Sequence, residues 1–156
     1  MLDHLTDNYL ASYLKKDIPI ANIDVSSVNE QNNGNEFKPM YLCDNDLDTA
    51  WCGGVDIAGT EQQITLYFAD TYTVEKLQFW NGDVQNDQRL SNNAQIREAT
   101  LTYSDGKQEK VVIRKSNPFN DISTVYLKKP VETSSIKISI DSVYEQNKED
   151  VCISEI

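Results

Sequence analysis

The chain has 156 residues, 25 acidic against 14 basic, which gives a net charge of -11 and a pI near 4.4. That balance repels phosphate backbones and anionic headgroups, so it argues against nucleic acid and against an anionic membrane as partners. Apolar residues make up 39 % and mean hydropathy is -0.54. No apolar run nears the roughly 18 residues of a membrane helix, so one domain with a modest core is expected.

Leu2, Leu5, Tyr9, Leu10, Tyr13 and Leu14 share one helical face, which predicts a short N-terminal helix over residues 2–15. Lys15 and Lys16 suit its C-terminal dipole, and Pro19 follows. Met1-Leu2-Asp3-His4-Leu5 shows no basic stretch leading into an apolar run, so it does not read as a secretion signal. Residues 1–20 therefore read as an N-terminal helix or linker, and residues 21–156 as the main domain.

Beyond Pro19 the pattern turns to short strands. Residues 23–26 alternate, and 29–34 form a polar loop. Residues 63–68 read as a strand ending at Ala69-Asp70, and 73–80 as another stopped by Asn81-Gly82. Residues 81–95 form a long polar loop. A strand over 96–103 meets Ser104-Asp105-Gly106-Lys107, a strong hairpin signal, and 110–113 returns. Residues 123–127 and 135–140 complete the set. Short strands between turns, with little helix past residue 16, predict an all-β sandwich.

Catalytic signatures are missing. The lone histidine, His4, lies near a chain end, and neither GxGxxG nor a P-loop occurs, so triads and nucleotide chemistry have no support. The chain reads as a binding module and not an enzyme. The densest chemistry is Asp44-Asn45-Asp46-Leu47-Asp48-Thr49-Ala50-Trp51. Hard cations such as calcium take several oxygens at about 2.3–2.6 Å, and this loop offers carboxylates, an amide and a hydroxyl. It is no EF-hand, because the loop glycine and closing bidentate Glu are missing. Cys43, Cys52 and Cys152 form no CxxC and allow three single pairings, or three thiols. A bond between Cys52 and Cys152 would tie the acidic loop to the chain end.

The acidic loop resembles the D-G-D-x-x-T-x-W loop of discoidin-like, galactose-binding-like sandwiches, with Asn45 replacing the glycine. Asn tolerates left-handed angles. Trp51-Cys52-Gly53-Gly54, the Asn81-Gly82 turn, Asn93-Ala94-Gln95-Ile96-Arg97, Tyr103-Ser104-Asp105-Gly106 and the closing Val143-Tyr144 and Asp150–Ile156 segments resemble the glycan-binding domain associated with bacterial NAD-glycohydrolase toxins. The resemblance covers roughly residues 40–156. It implies a jelly-roll sandwich, noncatalytic and carbohydrate-binding, from a secreted or cell-surface bacterial protein. It also implies a structural calcium held by Asp44, Asp46, Thr49 and a C-terminal Glu155, and it places Cys52 and Cys152 at the two cysteine positions of the family. NAD-glycohydrolase chemistry belongs to a separate domain. The family often has Tyr and a basic residue where this chain has Asp83 and Gln95.

A sugar site needs an aromatic face for the C–H side of a pyranose and planar polar groups for its hydroxyls. Trp80 and Tyr144 are candidate platforms, and Asn81, Asp83, Gln88, Arg89, Asn92 and Asn93 the polar set, with Arg89 able to give a bidentate contact. The expected partner is a glycan or glycoprotein, alongside further domains of a larger protein. The competing reading is a protein-adhesion or assembly module on the same sandwich, which predicts an exposed apolar patch.

Overall fold

A computed structural model describes residues 18–28, 38–53, 62–116, 122–144 and 150–156. The helix expected over 2–15 and the loop 29–34 lie outside these residues. Strands β1 (Ile20–Val25), β2 (Trp51–Cys52), β3 (Gln63–Asn81), β4 (Ile96–Tyr103), β5 (Gln108–Val112), β6 (Ser123–Val143) and β7 (Cys152–Glu155) make an all-β sandwich. A turn of 3-10 helix, Pro39–Cys43, and one short α-helix, α1 (Asp87–Asn92), complete the described elements. The strand order is β2-β7-β3-β6-β4-β5, with β1 on β3, and every ladder is antiparallel.

Two pairs of expected strands are fused. Residues 63–68 and 73–80 are arms of β3, and residues 123–127 and 135–140 are arms of β6. In the first arm Gln63–Tyr67 pairs with Ser139–Ser135, and pairing resumes at Tyr72 opposite Thr133. A second shift separates Val74↔Val131 from Lys76↔Tyr126. Pro130, which has no N–H to give a ladder, falls in this second irregularity. Extra residues on first one strand and then the other bend both without parting them. Buried Thr133 braces the bend: its Oγ1 accepts from Ser104 N at 2.9 Å and donates to Ser135 O at 2.7 Å.

Alternation then decides the core. Ile64 and Leu66 of the first β3 arm, Leu77 and Phe79 of the second, and Ile136 and Ile138 of β6 belong to one buried cluster. Trp51 joins it with no exposed surface, and its Nε1–H donates to Ser27 O at 3.0 Å. The β4–β5 hairpin turns at Gly106 (φ +86), and its return strand starts at Gln108, two residues before the expected start. Tyr103 OH donates to the Glu109 carboxylate across that hairpin. Burial first, then this bond and the Glu109 charge, push the phenol above its usual range.

Candidate functional site: a clasp, a braced loop and a cleft

Following the 3-10 turn, the acidic loop folds around its own carboxylates. Asp46 N–H donates to Asp44 Oδ1 at 3.0 Å, and Asp48 N–H to Asp46 Oδ1 at 2.9 Å. Thr49 Oγ1 sits 2.6 Å from Asp44 Oδ2 and 2.9 Å from Asp46 O. Asn45 takes the left-handed conformation (φ 58) where the related loops have glycine. Its N–H donates to Glu155 Oε2 at 3.1 Å, bridging 110 residues of sequence. Burial pushes Glu155 up to about 7; the neighbouring Asp44 charge adds to this and the Asn45 N–H opposes it. The same burial, with Glu155 and Asp44 beside it, raises the thiol of Cys43, which is free and half-buried.

This donor set suits a hard cation at Asp44 and Glu155: two carboxylates, one under-compensated, with the Thr49 hydroxyl and the Asp46 carbonyl beside them. Asp44 and Asp46 both also serve the turn: Asp46 Oδ1 takes the Asp48 N–H, while Asp44 Oδ1 takes the Asp46 N–H and its Oδ2 lies against Thr49 Oγ1. Among the described residues, the three candidate ligands whose atoms lie within 4.8 Å of one another are Cys52, Asp83 and Cys152. Cys52 and Cys152 form a disulfide between β2 and β7, with Cα atoms 4.2 Å apart and 100 residues of separation. Their sulfurs are spent, so that cluster is no metal site.

The segment 81–95 is braced from within and contains α1. Asn81 has no exposed surface; its amide donates to Ile96 O at 2.7 Å and accepts from Ile96 N at 2.8 Å. Asp83 is equally buried and pairs with Arg89 at 3.2 Å. Gln95 is buried too, its Oε1 accepting from Ser116 N at 2.7 Å. As placed, Asn81 and Asp83 cannot reach a ligand; they hold backbone and Arg89. Asn86 caps α1 by accepting from Arg89 N, and Asn93 Nδ2 donates to Arg89 O. Gln88 and Asn92 face solvent. Half-buried Tyr144 donates to Ile113 O at 2.8 Å, with Lys115 Nζ 5.4 Å from its ring centroid.

Trp80 lies apart from that polar set. It is half-buried and opens onto a cleft of about 400 Å³ between the start of β1 and the second arm of β3. Leu66, Val74 and Leu77 line it, with Lys76 and Gln78 on the Trp80 strand and Asn45 and Glu155 from the clasp. Sequence reasoning missed Lys76 and Gln78. Their signal was present, since they precede Trp80 at two-residue spacing, the period of one strand face.

A bent antiparallel sandwich whose acidic loop closes on the last strand defines the discoidin-like class. The NAD glycohydrolase translocation F5/8 type C domain model matches residues 12–156, and the chain belongs to that family. Among solved structures, the family 32 carbohydrate-binding module of Clostridium perfringens NanJ, in complex with galactose, is 15 % identical with a TM-score of 0.61, over 86 % of this chain and 89 % of that one. The family 32 module of AlyQ, in complex with 4,5-unsaturated mannuronic acid, is 15 % identical with a TM-score of 0.61, over 88 % and 93 %. The two-module structure of Clostridium perfringens ZmpB gives 15 % and 0.67, covering 95 % of this chain and 37 % of that one. No curated protein matches the sequence.

Proposed function

We propose that this domain is a noncatalytic glycan-binding module of a secreted or cell-surface bacterial protein, with a structural calcium ion at the clasp. The observation that carries the reading is the sandwich itself: its structural neighbours include modules solved with galactose and with unsaturated mannuronic acid. The Cys52–Cys152 bond supports an oxidising compartment outside the cytosol. Asp44 and Glu155, with the Thr49 hydroxyl, would hold the ion. When bound, it would offset their mutual repulsion and fix the loop against β7. A glycan array probed with the disulfide-bonded protein in calcium should give at least one saturable hit, with affinity on the order of millimolar to micromolar. A blank array from folded, calcium-loaded protein overturns the reading. Exposed Tyr126 and Val112 favour the alternative, a protein-adhesion module. It predicts that pull-down from envelope or host extracts depends on these residues and ignores free sugar.

A further inference from the structure

We propose that the sugar ring is received by the Trp80 cleft and not by the 81–95 segment, and that the ligand is a neutral 2-acetamido sugar. This deepens the glycan-binding reading and rests on it. Three features of the cleft point the same way. The first is the platform. Of the two tryptophans, Trp51 is sealed in the core and Trp80 is half-buried at the cleft. An indole face stacks on the C–H side of a pyranose, and the amide of Gln78, one pleat away, carries both a donor and an acceptor for hydroxyls. Gln78 is steadied from the neighbouring strand, with Nε2 3.4 Å from Thr124 Oγ1.

The second feature is the floor. Leu66, Val74 and Leu77 are core residues, at most 8 % exposed, yet they line the cleft. A bare hexose brings hydroxyls to such a floor and leaves them without partners. An acetamido group brings a methyl, and its N–H and C=O can turn to the polar rim. The third feature is charge. Lys76 and Glu155 both line the cleft, one of each sign. A uronate that pairs with Lys76 also meets Glu155, and a free amine that pairs with Glu155 also meets Lys76, so a neutral, acylated amine avoids both repulsions. The volume of about 400 Å³ falls within the range of small-ligand sites, roughly 300–1,000 Å³. In contrast, the 81–95 segment spends Asn81 and Asp83 on its own bracing and contains no aromatic residue.

Indole fluorescence gives a direct test, because a sugar in the cleft perturbs Trp80 while Trp51 stays shielded. The full chain, calcium present, is titrated with N-acetylglucosamine and N-acetylgalactosamine, and with glucose, galactose and glucosamine. At least one acetamido sugar should shift the emission saturably and bind about tenfold or more tighter than its parent hexose, the discrimination one buried methyl provides. By calorimetry, Trp80→Ala should abolish binding, Trp80→Phe should retain part of it, and Gln78→Ala should weaken it severalfold. Asn92→Ala should leave affinity unchanged. Should Trp80→Ala fail to fold, Trp80→Phe and Gln78→Ala carry the test. If a sugar binds but depends on Asn92 and not on Trp80 or Gln78, the cleft assignment falls; if hexose and acetamido sugar bind alike, the acetamido assignment falls; in both cases the glycan reading stands. If no sugar binds on a broad array either, the glycan reading itself falls.

Discussion

Glu155 sits where opposing demands meet. Its backbone belongs to β7, its Oε2 accepts from Asn45 N, and Asp44 stands beside it. Burial and the Asp44 charge raise its folded value from 4.5 to about 7. A carboxyl raised this way holds its proton more tightly in the folded state than in the unfolded one. Its contribution to stability is therefore full below 4.5 and is lost as pH rises to about 7. Calcium-free protein should lose melting temperature between pH 5 and pH 8, and Glu155→Gln should flatten that slope. Calcium should flatten it too, because the ion replaces the proton as the neutralising charge, and raise the melting temperature by mass action. Asp44→Asn should blunt the calcium response, since Asp44 is the carboxylate that stands beside Glu155. A calcium response undiminished in Asp44→Asn, or a pH slope unchanged in Glu155→Gln, would sink this account of the clasp. The carboxylates were legible in the sequence as a set. Their division of labour was not, because it depends on which backbone N–H each one meets.

At the scale of elements, two glycines separate space from backbone strain. Gly106 turns the β4–β5 hairpin at φ +86, and a Cβ there meets nothing within 4 Å. Gly82 has φ +96, and its Cβ would lie 2.7 Å from Leu90 Cδ1 and 2.9 Å from Gln95 Cγ. Gly106→Ala should cost only the left-handed penalty, about 1–2 kcal/mol. Gly82→Ala should cost more, roughly 3 kcal/mol, by adding a displaced neighbour to the same penalty. Urea denaturation of both variants checks the ranking, and equal losses would mean that Leu90 and Gln95 give way freely. Strand positions were largely readable from alternation; their ends were not. Ala69-Asp70 reads as a stop, yet β3 runs through it because β6 bends in step. Similarly, a polar segment such as 81–95 reads as solvated. Nothing local says that the Ile96 backbone will claim Asn81, or that Arg89 will fold back onto Asp83.

Over the whole molecule, β7 is the strand on which distant parts converge. It pairs with β2 and with the end of β3, carries Glu155 to the acidic loop, and is bonded to β2 through Cys152. The disulfide joins positions 100 residues apart, which in the chain-entropy model is worth about 4.7 kcal/mol. Domains of this size are stable by about 5–15 kcal/mol in total, so the double Cys52→Ser, Cys152→Ser variant should unfold at much lower urea. The bond and the proposed ion should also be coupled. The disulfide ties β2 to β7, and the ion would tie Asp44 to Glu155 on that same last strand. With the bond intact, β7 would stay in register and the proposed donors would stay assembled. Without it, β2 and β7 separate part of the time, and the ion finds its site only in the assembled fraction. Apparent calcium affinity then falls by that fraction. Calorimetric titration at a temperature where both proteins are folded should show weaker calcium binding by the serine variant. Calcium should also raise its unfolding midpoint. Identical affinities would mean that the clasp assembles without the bond, leaving the disulfide to act on the unfolded chain alone.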